Sequence, residues 1–374
     1  MTIRVVVVDD SVVIRRLVVQ ALESDPDVEV VATAANGRLA LAKVEQHAPD
    51  AVTMDIEMPE LNGVEAVREL RKRGHTMPII MFSTLTERGA TATFDALDAG
   101  ASDYVAKPSN VGSINESLKA VADQLIPKIR ALVPRSIGRQ SPSRTVAGGL
   151  GAGSGRPGAA APRAAVSLRQ APRRHPVRAV VLGCSTGGPE ALSRVIERIT
   201  EPLPVPLLVV QHMPAVFTRQ LAHRLDRLGP SHVFEATHGQ VLEPGGVYIA
   251  PGDTHLEVEG TAGRYRAKIT HGAPVNFCRP SVDVLFRSAL SVVGSELLAV
   301  ILTGMGADGK VGAGAVADAG GTVVVQDEES SVVWGMPGAT AMAGYAHRVL
   351  PISEIGHTIS GIVQANHGAQ EVTR

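Results

Sequence analysis

The apolar residues of this chain fall into short continuous runs that alternate with amphipathic stretches. Val5–Val8 and Pro78–Phe82 are uninterrupted apolar runs, which are typical of parallel strands buried on both faces. Stretches between such runs, for example Val64–Arg73 and Ile114–Leu125, have the spacing of amphipathic helices. The first part of the chain therefore predicts a doubly wound parallel α/β sheet. Its predicted strands are Ile3–Val8, Val28–Ala32, Ala51–Met54, Ile79–Ser83 and Tyr104–Ala106.

The same alternation resumes in the second half of the chain. Helices are predicted over Pro189–Arg198 and Gly309–Ala319. The predicted strands are Ala179–Leu182, Val205–Val210, Gly246–Ala250, Leu297–Leu302 and Thr322–Gln326. This pattern predicts a second α/β domain with its own core.

A segment from about Pro134 to Pro176 separates the two patterns. It is rich in Gly, Ala, Pro, Ser and Arg and contains no acidic residue. Such a composition cannot bury enough apolar surface to fold, so a flexible linker is expected. The predicted organisation is an α/β domain at 1–127, a flexible linker at 128–176 and a second α/β domain at 177–367.

Composition and charge exclude several classes of protein. The 374 residues carry a formal net charge of −1, which gives no overall bias toward nucleic acid or membrane surfaces. Two cysteines are too few for a disulfide framework or a thiolate metal site, and they fit a reducing compartment. The apolar run near the N-terminus is too short for a signal peptide, and no stretch approaches the length of a membrane span. We therefore expect a cytoplasmic protein without membrane insertion.

Ionisable and hydroxyl residues follow the predicted strands of the first domain. Asp9 and Asp10 follow the first strand, Asp55 the third, Ser83 ends the fourth and Lys107 follows the fifth. Because the carboxyl ends of parallel strands meet at one edge, three carboxylates gather there and need a hard cation such as Mg²⁺. One carboxylate could then attack a phosphoryl group, whose oxygens Lys107 and Ser83 could bind.

This arrangement, with Pro108 after Lys107, resembles the signature of response-regulator receiver domains over about the first 125 residues. The resemblance implies a flavodoxin-like fold and Asp55 as the phosphoacceptor. It also implies that Asp9 and Asp10 hold Mg²⁺ together with Asp55 and the carbonyl oxygen of Ile56. Ser83 and Tyr104 resemble the switch residues that respond to phosphorylation, with Lys107 beside them.

The second domain opens with a candidate nucleophile. Gly183, Ser185 and Gly187 match the nucleophile-elbow pattern at a strand-to-helix turn. The glycines allow a sharp turn, and the helix N-terminus offers N–H groups to an oxyanion. A serine or threonine here could instead only cap the helix, and the stretch alone does not decide between these roles.

A base and an orienting acid are available at the same predicted sheet edge. His212 follows the strand that ends at Val210, and Asp308 lies in the loop after Leu297–Leu302. Asp308 could accept the second imidazole N–H and hold the ring in one tautomer. The order Ser, His, Asp differs from the Ser, Asp, His order of α/β-hydrolases, so a separate family is implied.

Four stretches resemble the catalytic domain of chemotaxis protein-glutamate methylesterases, the CheB family; they are Gly183–Pro189, Gln211–Pro214, Arg279–Asp283 and Thr303–Gly309. The resemblance covers most of residues 177 to about 365 and implies a Rossmann-like α/β domain.

By this resemblance Ser185 is the nucleophile, His212 the general base and Asp308 the orienting acid. The backbone amide of Met305 and the region of Thr186 are implied oxyanion-hole contributors. Cys184 departs from the family, which often has Ala there; strand alternation points its thiol away from Ser185 and favours a buried small residue.

The two resemblances together imply a function. The catalytic domain would hydrolyse glutamate methyl esters on chemoreceptor cytoplasmic helices, releasing methanol, and would also deamidate receptor glutamines. It would need no metal in that domain. A chemotaxis histidine kinase would phosphorylate Asp55, and the unphosphorylated receiver would cover the catalytic cleft.

Two alternatives belong to other classes. Gly304, Gly306 and Gly309 match a dinucleotide-binding fingerprint, and Asp327 follows the next strand, so an oxidoreductase remains open. Receiver domains also drive DNA-binding outputs, but the second domain has no evident helix-turn-helix or basic recognition face, so no nucleic-acid partner is expected.

Overall fold

The chain forms two α/β domains, each with a parallel sheet between helices, as the sequence predicts. The computed structural model describes residues 2–108, 113–133, 166–170, 176–261 and 263–371. The first domain has the strands β1 (Ile3–Val8), β2 (Val28–Ala34), β3 (Ala51–Asp55), β4 (Ile79–Ser83) and β5 (Asp103–Ala106). Its helices are α1 (Val12–Glu23), α2 (Gly37–His47), α3 (Gly63–Lys72), α4 (Glu87–Asp98) and α5 (Ile114–Leu132).

The strand order of the first sheet is β2-β1-β3-β4-β5, the flavodoxin-like order. The order in which the chain adds strands to the sheet reverses between β1 and β3. Such sheets bind ligands at this switch point. Asp9 follows β1 and Asp55 ends β3, so both acids lie at this point. All five helices begin with a side chain that accepts a backbone N–H; these side chains are Ser11, Asn36, Asn62, Thr86 and Ser113.

The second domain is built on a seven-stranded sheet with the order β14-β13-β12-β6-β7-β9-β8. Its strands are β6 (Ala179–Cys184), β7 (Leu207–Gln211), β8 (His232–Glu235), β9 (Gly246–Ile249), β12 (Leu297–Ile301), β13 (Thr322–Gln326) and β14 (Arg348–Leu350). Two further strands, β10 (His255–Thr261) and β11 (Arg264–Thr270), form a separate hairpin. Its helices are α6 (Gly188–Glu197), α7 (Ala215–Leu225), α8 (Val282–Val293), α9 (Lys310–Asp318), α10 (Met336–Met342) and α11 (Ile352–Glu371).

All strand pairs of this sheet are parallel, and every residue of β6, β7, β12 and β13 is buried. Burial on both faces explains why these strands are continuous apolar runs in the sequence. The order in which the chain adds strands reverses between β6 and β12. The ends of β6, β7 and β12 therefore lie side by side at the switch point of the sheet.

The sequence pattern missed the peripheral strands β8 and β14 and the antiparallel hairpin of β10 and β11. These strands are short or half exposed, so their apolar content is low. Helix α5 ends at Leu132, so the predicted domain boundary at residue 127 falls inside it. The buried side chains of Ile129 and Leu132 continue the apolar face of α5 and keep the chain helical.

The described part of the predicted linker, residues 166–170, packs on the second domain. The Arg169 backbone N–H donates to the Ala346 carbonyl oxygen at 2.8 Å, and its side chain pairs with Asp318 at 2.7 Å. The rest of the predicted linker beyond residue 133, apart from Pro176, lies outside the described residues. Among the described helices, no stretch combines the length and the hydropathy that crossing a bilayer requires.

The two domains pack against each other through α4 and α7. The rings of Tyr104 and Phe217 are stacked, with centroids 4.6 Å apart and planes inclined by 16°. Beside them the guanidinium of Arg224 pairs with both carboxylate oxygens of Asp98 and lies over the ring of Phe94. The contact therefore combines a buried aromatic stack with a partly exposed ion pair.

Because Gly63 has no side chain, the first turn of α3 can pack against the Asp55 backbone. Substitution of Gly63 therefore tests the packing of the first domain. A Cβ at Gly63 would lie 2.0 Å from the Asp55 carbonyl oxygen, whereas a Cβ at exposed Gly361 in α11 would meet nothing within 4 Å. Gly63→Ala should destabilise the protein by about 1–3 kcal/mol. Gly361→Ala should be neutral or stabilise by up to about 1 kcal/mol. Denaturant unfolding followed by circular dichroism measures both, and equal effects would contradict the packing described.

Candidate functional site

The turn between β6 and α6 carries Ser185. The Ser185 carbonyl oxygen accepts the Gly188 N–H at 2.7 Å, and the Ser185 N–H donates to the Thr303 carbonyl oxygen at 3.0 Å. Gly187 has a φ of 75°, a left-handed conformation that favours glycine, and α6 begins immediately after it. These bonds hold the half-buried serine at the N-terminus of a helix in the centre of the sheet edge.

Gln211, at the end of β7, fixes this turn, a role that the sequence did not predict. Its Nε2 donates to the Ser185 carbonyl oxygen at 3.0 Å, and its Oε1 lies 3.0 Å from the Cys184 sulfur. A Cβ at Gly188 would lie 1.9 Å from Gln211 Oε1, so glycine is required for this close approach. In the sequence, Gln211 opens the family-like stretch Gln211–Pro214 at a strand end, but that stretch did not indicate its role.

The structure brings His212 and Asp308 together. His212 follows β7, and its backbone N–H donates to the Cys184 carbonyl oxygen at 3.1 Å. Its Nε2 lies 2.9 Å from Asp308 Oδ2, in the loop after β12. Because a carboxylate only accepts hydrogen bonds, Nε2 carries a proton and Nδ1 is the basic nitrogen of the neutral ring.

Asp308 is buried and is held by donors from another loop. The Ser281 hydroxyl and the Asn276 amide donate to its Oδ1 at 2.9 Å and 2.8 Å. The Val282 backbone N–H donates to Oδ2 at 2.7 Å. Ser281 lies in the family-like stretch 279–283, for which no role of Ser281 was predicted, and Asn276 lies outside all four stretches. Their role became visible only when the loop folded over the carboxylate.

These contacts shift the ionisation of both groups. Burial opposes charge on Asp308, but His212, Asn276 and the Val282 N–H outweigh it and lower the pKa of Asp308 to about 2. Burial also lowers the pKa of His212, but hydrogen bonds with Asp308 and Cys278 outweigh this and raise the pKa to about 9. The imidazole and the carboxylate therefore form a strongly coupled pair.

Ser185 and His212 follow the paired ends of β6 and β7, and their side chains are not hydrogen-bonded to each other. Within the described residues, Ser185 Oγ makes no hydrogen bond, and His212 Nδ1 lies 3.6 Å from the Cys278 sulfur. Hydrogen bonds between a nucleophile and its base are often long in a ligand-free site, so this arrangement is compatible with a serine nucleophile.

Two backbone amides, those of Thr186 and Met305, are the predicted oxyanion donors. Thr186 begins the turn into α6, and its carbonyl oxygen accepts the Thr303 hydroxyl at 2.9 Å. Among the described residues, the N–H groups of Thr186 and Met305 have no hydrogen-bond acceptor. Because both follow strand ends next to Ser185, they remain the predicted oxyanion donors.

The competing sequence interpretations find no support at this edge. Cys184 is fully buried, and burial raises the pKa of its thiol far above the ordinary value, which disfavours it as a nucleophile. Protein groups occupy the space beside two glycines of the loop after β12: Met336 and Ser185 atoms lie beside Gly304, and Val282 lies beside Gly309, whereas the space beside Gly306 is open. Close approach of a pyrophosphate at Gly304 and Gly309 is therefore blocked, which disfavours the dinucleotide interpretation.

A second cluster lies at the switch point of the first domain. Ligand atoms of Asp9, Asp10 and Asp55 lie within 4.8 Å of one another. Lys107 Nζ lies 2.8 Å from Asp55 Oδ1 and 3.0 Å from Asp9 Oδ2. Burial raises the pKa of Asp9 and, together with the charge of Asp9, raises the pKa of Asp55 to about 6 although Lys107 opposes the shift. One ammonium group therefore does not neutralise this cluster.

The donor set fits a hard divalent cation such as Mg²⁺. Asp9 Oδ2 is buried and accepts no hydrogen bond from any described residue. Its contact with Lys107 is an ion pair only. Ile56 presents a carbonyl oxygen at the same place, where it accepts the Gly63 N–H at 2.9 Å. A cavity of about 280 Å³ opens here, lined by Asp10, Asp55 and Ser83 among others.

The two predicted switch residues have different surroundings. The Ser83 hydroxyl lies at the cavity, where it donates to the Gly89 carbonyl oxygen at 3.2 Å and accepts from Thr93 at 2.8 Å. The Tyr104 ring lies away from the acids, in the stack with Phe217. Tyr104 therefore joins the first domain to the second in this conformation.

Comparison with known proteins identifies both domains. Residues 180–359 match the CheB methylesterase family and residues 5–119 match the response regulator receiver domain. A protein-glutamate methylesterase/protein-glutamine glutaminase of Nocardioides sp. is 56% identical over 96% of this chain and 94% of its own length. One of the same description from Trichodesmium erythraeum is 39% identical over 95% of this chain and 97% of its own. The CheB methylesterase catalytic domain of Thermotoga maritima is 42% identical over 50% of this chain and 98% of its own, with a TM-score of 0.48.

The raised pKa of His212 can be tested directly. An NMR pH titration of the imidazole should give a pKa near 9, since Asp308 stabilises the imidazolium. Asp308→Asn keeps the shape of the side chain but removes its charge, so the His212 pKa should fall by at least about one unit. A wild-type imidazole that titrates near 6.5 would contradict the coupling, as would an unchanged pKa in the variant.

Proposed function

This chain belongs to the family of CheB methylesterases that carry a receiver domain, and we propose that it demethylates and deamidates chemoreceptor cytoplasmic helices. It is a protein-glutamate methylesterase controlled by phosphorylation. The main support for the proposed site is that Ser185, His212 and Asp308 all follow the ends of three neighbouring strands. Each supplies one role of a serine hydrolase.

The proposed reaction requires the neutral form of His212, whose fraction increases as the pH rises toward its pKa of about 9. It begins with proton transfer from Ser185 Oγ to His212 Nδ1. The serine oxygen attacks the carbonyl carbon of the glutamate methyl ester and forms a tetrahedral intermediate. Asp308 stabilises the imidazolium through Nε2, which stays protonated throughout. The backbone N–H groups of Thr186 and Met305 would bind the oxyanion in the centre of the sheet edge.

Collapse of this intermediate breaks the bond to the methoxy oxygen, which takes the proton from Nδ1 and leaves as methanol. Water then gives a proton to Nδ1 while its oxygen attacks the acyl carbon. The bond to Ser185 Oγ breaks, Oγ takes the proton back from Nδ1, and the glutamate side chain is released. A glutamine amide would follow the same steps with ammonia as the leaving group. The residues of the second domain suffice for both reactions, so no metal is invoked there.

The entrance to this site fits a protein substrate. The side chain of Phe277 is fully exposed at the tip of the turn whose neighbouring residues, Asn276 and Cys278, contact Asp308 and His212. A large exposed aromatic side chain beside a catalytic base suits contact with the apolar surface of a partner. We infer that this side chain contacts the receptor helix that carries the ester.

Regulation would pass through the contact between the domains. Helix α7 begins at Ala215, three residues after His212, and α7 supplies both Phe217 and Arg224 to the receiver contact. A chemotaxis histidine kinase is the proposed phosphodonor to Asp55 in the cytoplasm. Mg²⁺ held by Asp9, Asp10 and Asp55 would offset the charge of the phosphoryl group. Rearrangement of Ser83 and Tyr104 would then release α7.

The nucleophile can be assigned by methanol release from radiolabelled methylated receptor. Ser185→Ala should lose at least about 10³-fold in rate, because the oxyanion donors alone give only residual catalysis. Cys184→Ala, altered at the adjacent buried residue, should retain most activity. A small phosphodonor should stimulate the wild type but not Asp55→Ala.

Activity that survives in Ser185→Ala would overturn the nucleophile assignment, and stimulation that survives in Asp55→Ala would overturn the phosphoacceptor. Absence of methanol from the wild type would overturn the proposed substrate.

The ion pair between Arg224 and Asp98 offers a charge-swap test of the domain contact. Arg224→Glu places two carboxylates together and should raise the activity without phosphodonor about two- to fivefold, as expected for a partly exposed pair. The double variant Arg224→Glu with Asp98→Arg restores opposite charges and should return the activity toward that of the wild type. A double variant as active as the single one would contradict inhibition through this contact.

A further inference from the structure

Cys278 lies against the catalytic base, although the proposed reaction does not use it. Its half-buried sulfur lies 3.6 Å from His212 Nδ1, the nitrogen that must accept the serine proton. We propose that Cys278 Sγ and His212 Nδ1 form an inhibitory site for a thiophilic divalent cation such as Zn²⁺. A cation bound there would take the lone pair of the base and stop ester hydrolysis.

The separation of the two atoms matches zinc coordination. Zinc bonds of about 2.3 Å to sulfur and about 2.0–2.1 Å to nitrogen, at a tetrahedral angle, place the two ligand atoms about 3.6 Å apart. The observed separation is 3.6 Å, so a cation can be bound without moving either side chain. Two protein ligands leave the other coordination positions to water or to Ser185 Oγ, which is consistent with a reversible site.

The surroundings of His212 already resemble those of a zinc-binding imidazole. Metal-bound histidines commonly donate their second ring N–H to a carboxylate, which fixes the tautomer and the ring orientation. His212 makes this bond to Asp308 at 2.9 Å. Asp308 is in turn held by Ser281 and Val282, so the ring presents Nδ1 toward Cys278 in a fixed direction.

The turn that carries Cys278 is also fixed. Val275 and Cys278 exchange two backbone hydrogen bonds of 3.1 Å and 2.9 Å, which close a two-residue turn. Asn276 and Phe277 between them have φ values of 52° and 63°, the left-handed conformation of such a turn. The amide of Asn276 donates to Asp308 and Asp283 at 2.8 Å and 2.9 Å, so the same loop that orients the acid positions the thiol.

The chemistry of the ligands separates this site from the receiver cluster. A thiol and an imidazole favour zinc and related soft or borderline cations, whereas the three aspartates of the receiver favour Mg²⁺. Excess Mg²⁺ would therefore occupy the receiver without competing at Cys278.

The experiment uses the full chain in excess Mg²⁺ and has two readouts. Cobalt(II), as a spectroscopic substitute for zinc, should give a thiolate-to-cobalt absorption band in the wild type and in Cys184→Ala. The band should be absent in Cys278→Ser and Cys278→Ala. Zinc should lower wild-type methanol release at least about tenfold, a chelator should restore it, and the half-inhibiting concentration should rise at least about tenfold in Cys278→Ser.

The activity readout rests on the proposed function, whereas the cobalt spectrum does not. No methanol release from the metal-free wild type, with the cobalt band present, would sink the proposed function and leave the metal site standing. A missing cobalt band, or equal zinc sensitivity of the wild type and both Cys278 variants, would overturn the metal site.

Discussion

The buried carboxylate of Asp308 is the group on which the proposed catalytic site depends. It accepts hydrogen bonds from His212, Asn276, Ser281 and the backbone of Val282, and so joins the ends of β7 and β12 to the loop before α8. A buried charge with this many donors stays ionised and fixes the groups around it. The tautomer of His212, its raised pKa and the position of the Cys278 thiol all follow from this carboxylate.

The same carboxylate leaves His212 with one free ring nitrogen. With Nε2 bonded to Asp308, only Nδ1 can accept a proton, and Nδ1 lies 3.6 Å from the Cys278 sulfur. One nitrogen is therefore available to a serine proton or to a cation, but not to both. Catalysis and metal inhibition compete for one lone pair, so the geometry that positions the base also makes it a ligand.

In the receiver, by contrast, the negative charge of the buried carboxylates exceeds what the neighbouring cation offsets. There the carboxylates of Asp9 and Asp55 are buried together, and the ammonium of Lys107 compensates them only in part. A site with uncompensated negative charge is sensitive to an added cation or phosphoryl group, because each changes the local charge. Tyr104, on β5, is the residue proposed to carry that response into the stack with Phe217 and hence to the helix that follows His212.

The sequence by itself determined the two parallel sheets and the strand-end residues, because strands buried on both faces need continuous apolar runs and their carboxyl ends share an edge. Ser185, His212, Asp308, Asp55 and Lys107 could therefore be named before any coordinates. Only the tertiary structure decided that Asn276, Ser281 and Gln211 support the site, that Cys278 faces the base, and that Tyr104 meets Phe217. Those contacts join loops or domains far apart in the chain, and no local pattern of residues encodes which of them will meet.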